Sequence, residues 1–175
     1  YQKLVAELEA RQREMGKIID ALEEARRRSL ETRPKRPPSG AGFARLEGQL
    51  PWPVAGRILK KFGTLVHPIY KTKTINNGID ISAKSGQPVL AVADGEVVYV
   101  GEIGSFGNFV ILQHEGGFYT LYAHLAASLV QKGHSITSGG VIGQAGDTGS
   151  FEGVMLHFEL RKERKILDPQ KWLLK

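Results

Sequence analysis

The sequence predicts a mainly β fold, an antiparallel sheet with a groove on one face, preceded by a long coiled-coil-like α-helix. From about residue 50 onward, short runs of alternating apolar and polar residues are separated by glycine-rich turns, as in antiparallel sheets. Before that point the apolar residues recur every three or four positions, which is the period of a helix. We therefore expect a helix at 1–31, a linker at 32–49 and a β domain at 50–175.

The apolar stripe of the N-terminal segment is typical of a coiled coil. Arg11 is its one strong interruption, and Glu, Gln, Lys and Arg fill most of the remaining positions. We favour the end of a coiled coil, and the alternative is an ordinary amphipathic helix that packs on its own domain. The residues of the stripe are Leu4, Leu8, Met15, Ile18, Leu22 and Ala25.

The linker combines helix-breaking residues with an apolar end. Prolines between positions 34 and 38, and the small residues that follow them, end the helix. Phe43, Leu46 and Leu50 are too apolar for a plain polar tether. We expect residues 43–50 to form a short arm on the domain, with Phe43 and Leu46 near or over the groove. Simple packing against the domain is the alternative.

The β domain contains clear strand and hairpin signals. Asp94-Gly95 and Glu115-Gly116-Gly117 separate neighbouring apolar runs and are typical of hairpin turns. The most regular strand candidates are residues 89–93, 96–100, 108–114, 118–125 and 154–161.

Alternation along two of these strands predicts which side chains face the groove. Leu156, Phe158 and Leu160 suit a core, so Met155, His157 and Glu159 are expected on the opposite face. By the same rule Thr120, Tyr122 and His124 share one face of their strand. His124 and His157 are therefore expected to converge on one cleft.

The composition excludes several classes of function. The chain of 175 residues has no cysteine, which excludes a disulfide framework and cysteine-based catalysis. No apolar run approaches the length of about 20 residues that spans a bilayer. Tyr1 is followed by a charged helix rather than a leader peptide, so we expect a mature or trimmed chain.

The net charge of +6 leaves the class of partner open. Basic residues cluster at 26–28 and 33–36, but interleaved aromatic residues are missing there, so no nucleic-acid partner is predicted. An anionic cell-wall polymer or a lipid surface would suit these basic clusters equally well.

Three short segments occur in order along the β domain and carry the functional signal. They are Asn76-Asn77-Gly78-Ile79-Asp80, Tyr122-Ala123-His124-Leu125 and Met155-Leu156-His157. Together they resemble the signatures of the LytM-type (lysostaphin-like) zinc peptidases, in which the first reads His-x-Gly-x-Asp and the last His-x-His. The resemblance implies metal ligands at position 76, Asp80 and His157. It implies proton handling by His124 and by the residue at position 155.

Two substitutions argue against catalysis in this chain. A catalytic zinc takes three protein ligands and keeps one position open for water. Asn76 offers an amide oxygen, which is a weak zinc ligand, where the family has an imidazole. Met155 carries a thioether, which cannot transfer a proton. We therefore predict no enzymatic activity and no zinc or other cofactor, with His124, Asp80 and His157 as vestigial site residues.

The layout of the chain further resembles the EnvC branch of this family, through its helix, linker, Trp52-Pro53 entry and 168–173 ending. That resemblance implies a noncatalytic periplasmic activator of a peptidoglycan N-acetylmuramoyl-L-alanine amidase in cell division. It also implies a coiled coil that contacts an FtsEX-type membrane complex, and makes arm 43–50 a candidate self-inhibitory element. The amidase would bind a groove formed by Asn76, Asp80, Tyr122, His124, Met155 and His157.

Two other interpretations remain open. The chain could be a zinc-dependent peptidoglycan endopeptidase that uses Asp80, His157 and Asn76, with His124 as the base. The glycine-rich hairpins alone would also suit a lipoyl- or biotin-carrier domain, although the sequence has no Met-Lys-Met or Asp-Lys-Ala hairpin tip.

Overall fold

The computed structural model describes residues 2–32 and 42–175. One helix, α1 (Gln2–Thr32), precedes twelve strands. The strands are β1 (Ile58–Lys60), β2 (Gly63–Val66), β3 (Lys73–Asn76), β4 (Ile79–Ser82), β5 (Pro88–Leu90), β6 (Gly95–Ile103), β7 (Gly107–His114), β8 (Phe118–Ser128), β9 (Ser135–Ile136), β10 (Val141–Ala145), β11 (Met155–Lys162) and β12 (Lys165–Leu167).

Ten of the strands form one sheet, in which the order β1-β4-β11-β8-β7-β6-β9 places the three signature segments side by side. β5 and β10 pair with each other, β10 also pairs with β8, and β12 pairs with β11. All pairings between these strands are antiparallel, which confirms the predicted fold. β2 and β3 form a separate hairpin.

The two faces of the sheet bury different clusters. One face carries Leu156, Phe158 and Leu160 of β11, as alternation along that strand predicts, and forms the larger core. The other face carries the second cluster, which includes Phe109 and Leu121 and is covered by α1. Each large apolar side chain buried in this way contributes about 1.5–3 kcal/mol to stability.

Helix α1 packs on its own domain, so the preferred coiled-coil interpretation does not describe its contacts in this structure. Met15 and Ile19 are fully buried against the second face of the sheet. Polar contacts fix the C-terminal half of the helix. The Tyr119 hydroxyl donates to Glu23 at 2.9 Å, and Arg164 donates to Asp20 at 2.7 Å. Met15, Ile18 and Leu22 of the apolar stripe therefore pack against the β domain of the same chain.

The arm at 43–50 lies away from the groove, so the prediction that Phe43 and Leu46 cover it is wrong. Phe43 begins a 3₁₀ turn, Phe43–Leu46, and its ring lies 4.7 Å from that of Phe118 and 5.6 Å from that of Trp172. Leu50 forms a β-bridge with Leu173. Phe43, Leu46 and Leu50 belong to the larger core, on the face opposite Met155 and His157. The arm is therefore held by packing of Phe43 against the rings of Phe118 and Trp172.

The proline-rich part of the predicted linker, residues 33–41, lies outside the described residues. Within the described ranges, no helix combines the length and apolar character needed to cross a bilayer.

Candidate functional site

Strand register brings Asp80, His124 and His157 together on the face of the sheet that α1 covers. Asp80 on β4 lies directly opposite His157 on β11, and His157 lies opposite Ala123 on β8. Met155 occupies the start of β11 and lies opposite Ser82. Asp80, His124, Met155 and His157 are all buried, and His157 is only 1% exposed. The structure thus assembles residues that are far apart in sequence into one small site.

A row of alternating charges runs through this site. Asp80 Oδ1 lies 2.5 Å from His157 Nδ1, and His157 Nε2 lies 3.0 Å from Glu159 Oε1. Arg161 then donates to the second oxygen of Glu159, from Nη2 at 2.6 Å and from Nε at 3.0 Å. The row Asp80–His157–Glu159–Arg161, called here the buried charge row, balances two anions with two cations.

The neighbouring charges favour the ionised forms of His157 and Glu159. Burial would lower the pKa of His157, but the carboxylates of Asp80 and Glu159 outweigh it and raise that pKa above its ordinary value. Burial would likewise raise the pKa of Glu159, but Arg161 and His157 hold that pKa at about 2. Both ring nitrogens of His157 lie against carboxylate oxygens, so the protonated ring can donate one N–H to each, whereas only the deprotonated ring could bind a metal.

Glu159 and Arg161 were absent from the predicted site. The signal for Glu159 was its place two residues after His157 on the same face of β11, where the alternation had already placed it. Arg161 continues that face and is also buried. A charged side chain at each of two successive inward positions indicates a paired network, because isolated buried charges are costly.

The residues present do not fit the three-ligand zinc site of the LytM-type enzymes. Asn76 Nδ2 donates to the Lys61 carbonyl at 3.2 Å, and Asn76 Oδ1 accepts from the Gly78 amide at 3.4 Å. Asp80 and His157 supply two donors. In the described ranges no group of three or more His, Cys, Asp or Glu side chains could hold a metal. Glu159 contacts His157 at 3.0 Å, in the way that a carboxylate orients a ligand histidine in metal sites.

His124 reaches the site through an unusual backbone conformation. Its φ of 62° lies in the left-handed region, which reverses the alternation of β8 at this residue. His124 Nδ1 contacts the Thr148 carbonyl at 2.8 Å, and its ring stands edge-on to that of His157 at 6.1 Å. Burial and then the positive charge of His157 lower the pKa of His124 to about 4. His124 is therefore neutral at pH 7.

Tyr122 does not belong to the groove, which corrects the prediction from alternation. Its side chain points into the larger core, where its ring lies 5.3 Å from that of Phe158. Its hydroxyl accepts hydrogen bonds from the Val92 amide at 3.2 Å and the Thr120 hydroxyl at 3.0 Å. The left-handed turn at His124 explains the error, because it places Tyr122 and His124 on opposite faces.

The groove itself is a partly apolar cavity of about 510 Å³. Asp80, His124 and Met155 contribute to it from the sheet. The β2–β3 hairpin forms one wall, and residues 149–152 form another. A smaller cavity of about 100 Å³ beside it is lined by Asn76 and Glu159, among others.

The N-terminal half of α1 covers this groove. Leu4, Leu8 and Arg11 line the larger cavity. The Arg11 guanidinium lies 3.8 Å from the centroid of the Phe106 ring and donates to the Ser105 carbonyl at 3.2 Å. Burial lowers the pKa of Arg11, whereas the nearby charges of Glu159 and Asp80 act to raise it. The arginine that interrupts the apolar stripe is thus the one that faces the site carboxylates.

Comparison with known sequences places this site in a family. The model of "Peptidase family M23" matches residues 74–169. The cell division protein DipM of Caulobacter vibrioides is 36% identical over 71% of this chain and 20% of its own length. The DD-carboxypeptidase/endopeptidase Mpg of Neisseria meningitidis is 42% identical over 65% of this chain and 26% of its own. The murein hydrolase activator NlpD of Escherichia coli is 34% identical over 70% of this chain and 30% of its own length. The chain therefore spans less than a third of the length of each of these relatives.

Solved structures agree with the sequence comparison. A zinc-containing peptidase from Vibrio cholerae superimposes with a TM-score of 0.66 at 31% identity, over 74% of this chain and 41% of that one. The catalytic domain of lysostaphin from Staphylococcus simulans superimposes with a TM-score of 0.59 at 26% identity, over 65% of this chain and 89% of that domain. Motifs, fold and family match therefore coincide, and the chain belongs to peptidase family M23, with a LytM-type domain.

Proposed function

We propose that this protein is a noncatalytic activator of a peptidoglycan amidase, and that it docks the amidase in the groove beside Asp80, His124 and Met155. The donor set carries the proposal. Asp80 and His157 supply two strong metal donors, the Asn76 amide is bonded to backbone groups, and Met155 cannot transfer a proton. In this proposal the groove of the enzyme family serves as a binding surface, although a third metal ligand and one proton-transfer group are missing.

The relatives support a role at peptidoglycan. NlpD of Escherichia coli is named a murein hydrolase activator, and DipM of Caulobacter vibrioides a cell division protein. A Pseudomonas aeruginosa relative, 36% identical, is named a lipoprotein NlpD/LppB homolog. We accordingly place the activator outside the cytoplasm, in the periplasm. The resemblance in layout to the EnvC branch, rather than these relatives, suggests an FtsEX-type membrane complex as the partner of its N-terminal helix.

The groove has the character of a protein-docking surface. Leu65, Phe151 and Met155 give it apolar patches, and methionine adapts its shape to varied partners. Phe151 is 67% exposed, although a large apolar side chain gains by being covered. Leu4 and Leu8 of α1 occupy part of the same cavity, so docking requires the N-terminal half of α1 to move. In this proposal α1, rather than the arm at 43–50, is the self-inhibitory element.

Digestion of dye-labelled peptidoglycan tests the proposal. This chain alone, a periplasmic amidase alone and the two together are compared, and we expect release of dye above the amidase baseline in the mixture alone. A Phe151→Asp variant should lose stimulation. Leu129→Asp, at a position 55% exposed and outside the groove lining, should keep it. Peptide-bond cleavage by this chain alone, or equal stimulation by both variants, would contradict the proposal.

The alternative function is a zinc-dependent endopeptidase. Asp80 and His157 are adjacent, Glu159 orients His157, and His124 is neutral and able to accept a proton. Mpg, 42% identical, is named a DD-carboxypeptidase/endopeptidase. One tightly bound zinc per chain together with cleavage of cross-linked peptides would favour this alternative. Membership of family M23 excludes the interpretation as a lipoyl- or biotin-carrier domain.

A further inference from the structure

The turn between β2 and β3 presents an exposed apolar tip. This hairpin tip, residues 67–71, carries Ile69 and Tyr70, which are 76% and 70% exposed. Val66 and Ile75 on the adjoining strands are also exposed. The hairpin is a two-stranded sheet separate from the main one, so its tip has little of the domain around it. Apolar side chains concentrated at one projecting end are a feature of interaction sites.

The backbone amides of the hairpin tip are all bonded within the hairpin. His67 Nδ1 accepts from the amides of Ile69 at 3.3 Å and Tyr70 at 3.2 Å. The Lys71 amide donates to the His67 carbonyl at 2.9 Å, and the His67 amide donates to the Thr72 carbonyl at 2.8 Å. Proline at position 68 has no N–H. Because its amide donors are already bonded, the tip has fewer polar groups to desolvate when it enters the boundary between headgroups and acyl chains.

Positive charge follows directly behind the apolar tip. Residues 48–79 contain Arg57, Lys60, Lys61, Lys71 and Lys73, and no Asp or Glu. Lys60 pairs with Glu152, whereas Lys71 and Lys73 are exposed and, within residues 2–32 and 42–175, have no ion pair. The hairpin therefore presents apolar groups first and unpaired cations a few ångströms behind them.

We propose that the hairpin tip docks this protein on an anionic membrane surface. Ile69 and Tyr70 enter the headgroup layer, and Lys71 and Lys73 contact lipid phosphates. Strand residues rise about 3.3 Å each, so apolar and basic side chains of the tip lie within the roughly 5–10 Å depth of interfacial insertion. Tyrosine is enriched at this boundary, and cations near it are attracted by anionic lipid.

A membrane explains these observations better than an acidic protein does. An acidic protein would satisfy the lysines but would also offer acceptors to free amides, so internal bonding of every tip amide would bring no advantage. The order of apolar groups outside and cations inside matches the order of acyl chains and phosphates in a bilayer. Because Leu65, Val66 and Tyr70 also line the groove, docking would hold the groove close to the membrane.

A single-label experiment tests the proposal directly, because the chain has no cysteine of its own. Ile69→Cys in the 175-residue chain is labelled with an environment-sensitive fluorophore, and Leu129→Cys provides an exposed control position. Vesicles of phosphatidylglycerol with phosphatidylcholine should shift the emission of the label at position 69 to the blue. Pure phosphatidylcholine vesicles should shift it much less, and the label at 129 should not respond.

Vesicle sedimentation separates the two contributions. Lys71→Gln/Lys73→Gln should weaken binding by about 25-fold, since each lysine near an anionic surface is worth about fivefold. Ile69→Ser/Tyr70→Ser should weaken it at least as much and leave a residual salt-sensitive attraction. The matched controls are Leu129→Ser/Leu174→Ser and Lys132→Gln/Lys175→Gln, at exposed positions elsewhere, which should bind like the parent chain.

Three results of the vesicle experiments would overturn the proposal. They are absence of binding to anionic vesicles, equal loss in tip and control variants, and equal response of both labels. If tip variants lost amidase stimulation in a vesicle-free assay while vesicle binding was unchanged, the tip would be a protein contact instead. The membrane proposal does not depend on amidase activation, so stimulation without vesicle binding would overturn the membrane proposal alone.

Discussion

Replacing Arg161 tests whether the buried charge row stabilises the fold. Arg161→Met keeps most of the side-chain volume but leaves the buried Glu159 carboxylate with one cationic partner, His157. Removing one partner of a buried ion pair costs about 3–5 kcal/mol. The pKa of Glu159, held at about 2 against an ordinary 4.5, corresponds to a stabilisation of about 3 kcal/mol shared by its two cations. We expect a loss of about 3 kcal/mol in the free energy of unfolding at pH 7.

The pH dependence follows from the direction of the shift. Because the folded pKa of Glu159 lies below its unfolded value, its contribution to stability is complete above about pH 4.5. It is lost as the pH falls through about 2, below which the carboxylate is protonated in both states. The difference between parent and variant should therefore shrink between pH 4.5 and 2.

Urea unfolding at pH 7 and at pH 3 measures both effects. Arg164→Met is the matched control, because Arg164 pairs with Asp20 at 2.7 Å in a well-exposed position. Surface pairs are worth about 1 kcal/mol or less, so this control should change little at either pH. Equal losses in the two variants at pH 7, or a difference for Arg161→Met that is as large at pH 3 as at pH 7, would refute the reasoning.

Three further predictions concern the metal, the helix and the arm. Asn76→His should restore about one zinc per chain by metal analysis, because Asp80, His157 and Glu159 are already placed. It should not restore hydrolysis until Met155→His is added, and full activity of the single variant would contradict the role of position 155. Arg11→Glu should loosen α1 by repelling the site carboxylates and raise amidase stimulation, whereas the exposed Arg13→Glu should not; equal stimulation would contradict it. Phe43→Ala should cost about 3–5 kcal/mol in urea unfolding without raising amidase stimulation, and increased stimulation would restore a regulatory arm.

The sequence predicts those features of this fold that depend on local pattern. Alternation along β11 correctly separates the core residues Leu156 and Phe158 from the site residues Met155 and His157. Glycine turns mark the hairpins, and the spacing of the three segments predicts the assembled site. Alternation fails at His124 because one left-handed residue reverses it, and neither composition nor periodicity announces that conformation in a non-glycine residue.

Features that depend on the choice between surfaces were not predictable in the same way. The stripe of α1 suits a second helix and the face of a sheet equally well, and the structure selects the sheet at Met15 and Ile19. Phe43 could likewise pack in any apolar site. Its position depends on a contact with the ring of Trp172, a residue far along the chain that local pattern does not identify. A pattern indicates that a side chain will be buried, whereas the partner depends on tertiary structure.

Charge balance explains why so much of the metal site persists in a protein proposed to be noncatalytic. Asp80 and Glu159 are buried carboxylates, and a metal would normally help to neutralise such groups. Here His157 and Arg161 do so through direct contacts, and Arg11 adds a cation from α1. Loss of His157 alone would leave Asp80 with an uncompensated charge, which is more costly than retaining the pair. Retention of these residues therefore follows from stability and needs no surviving catalysis.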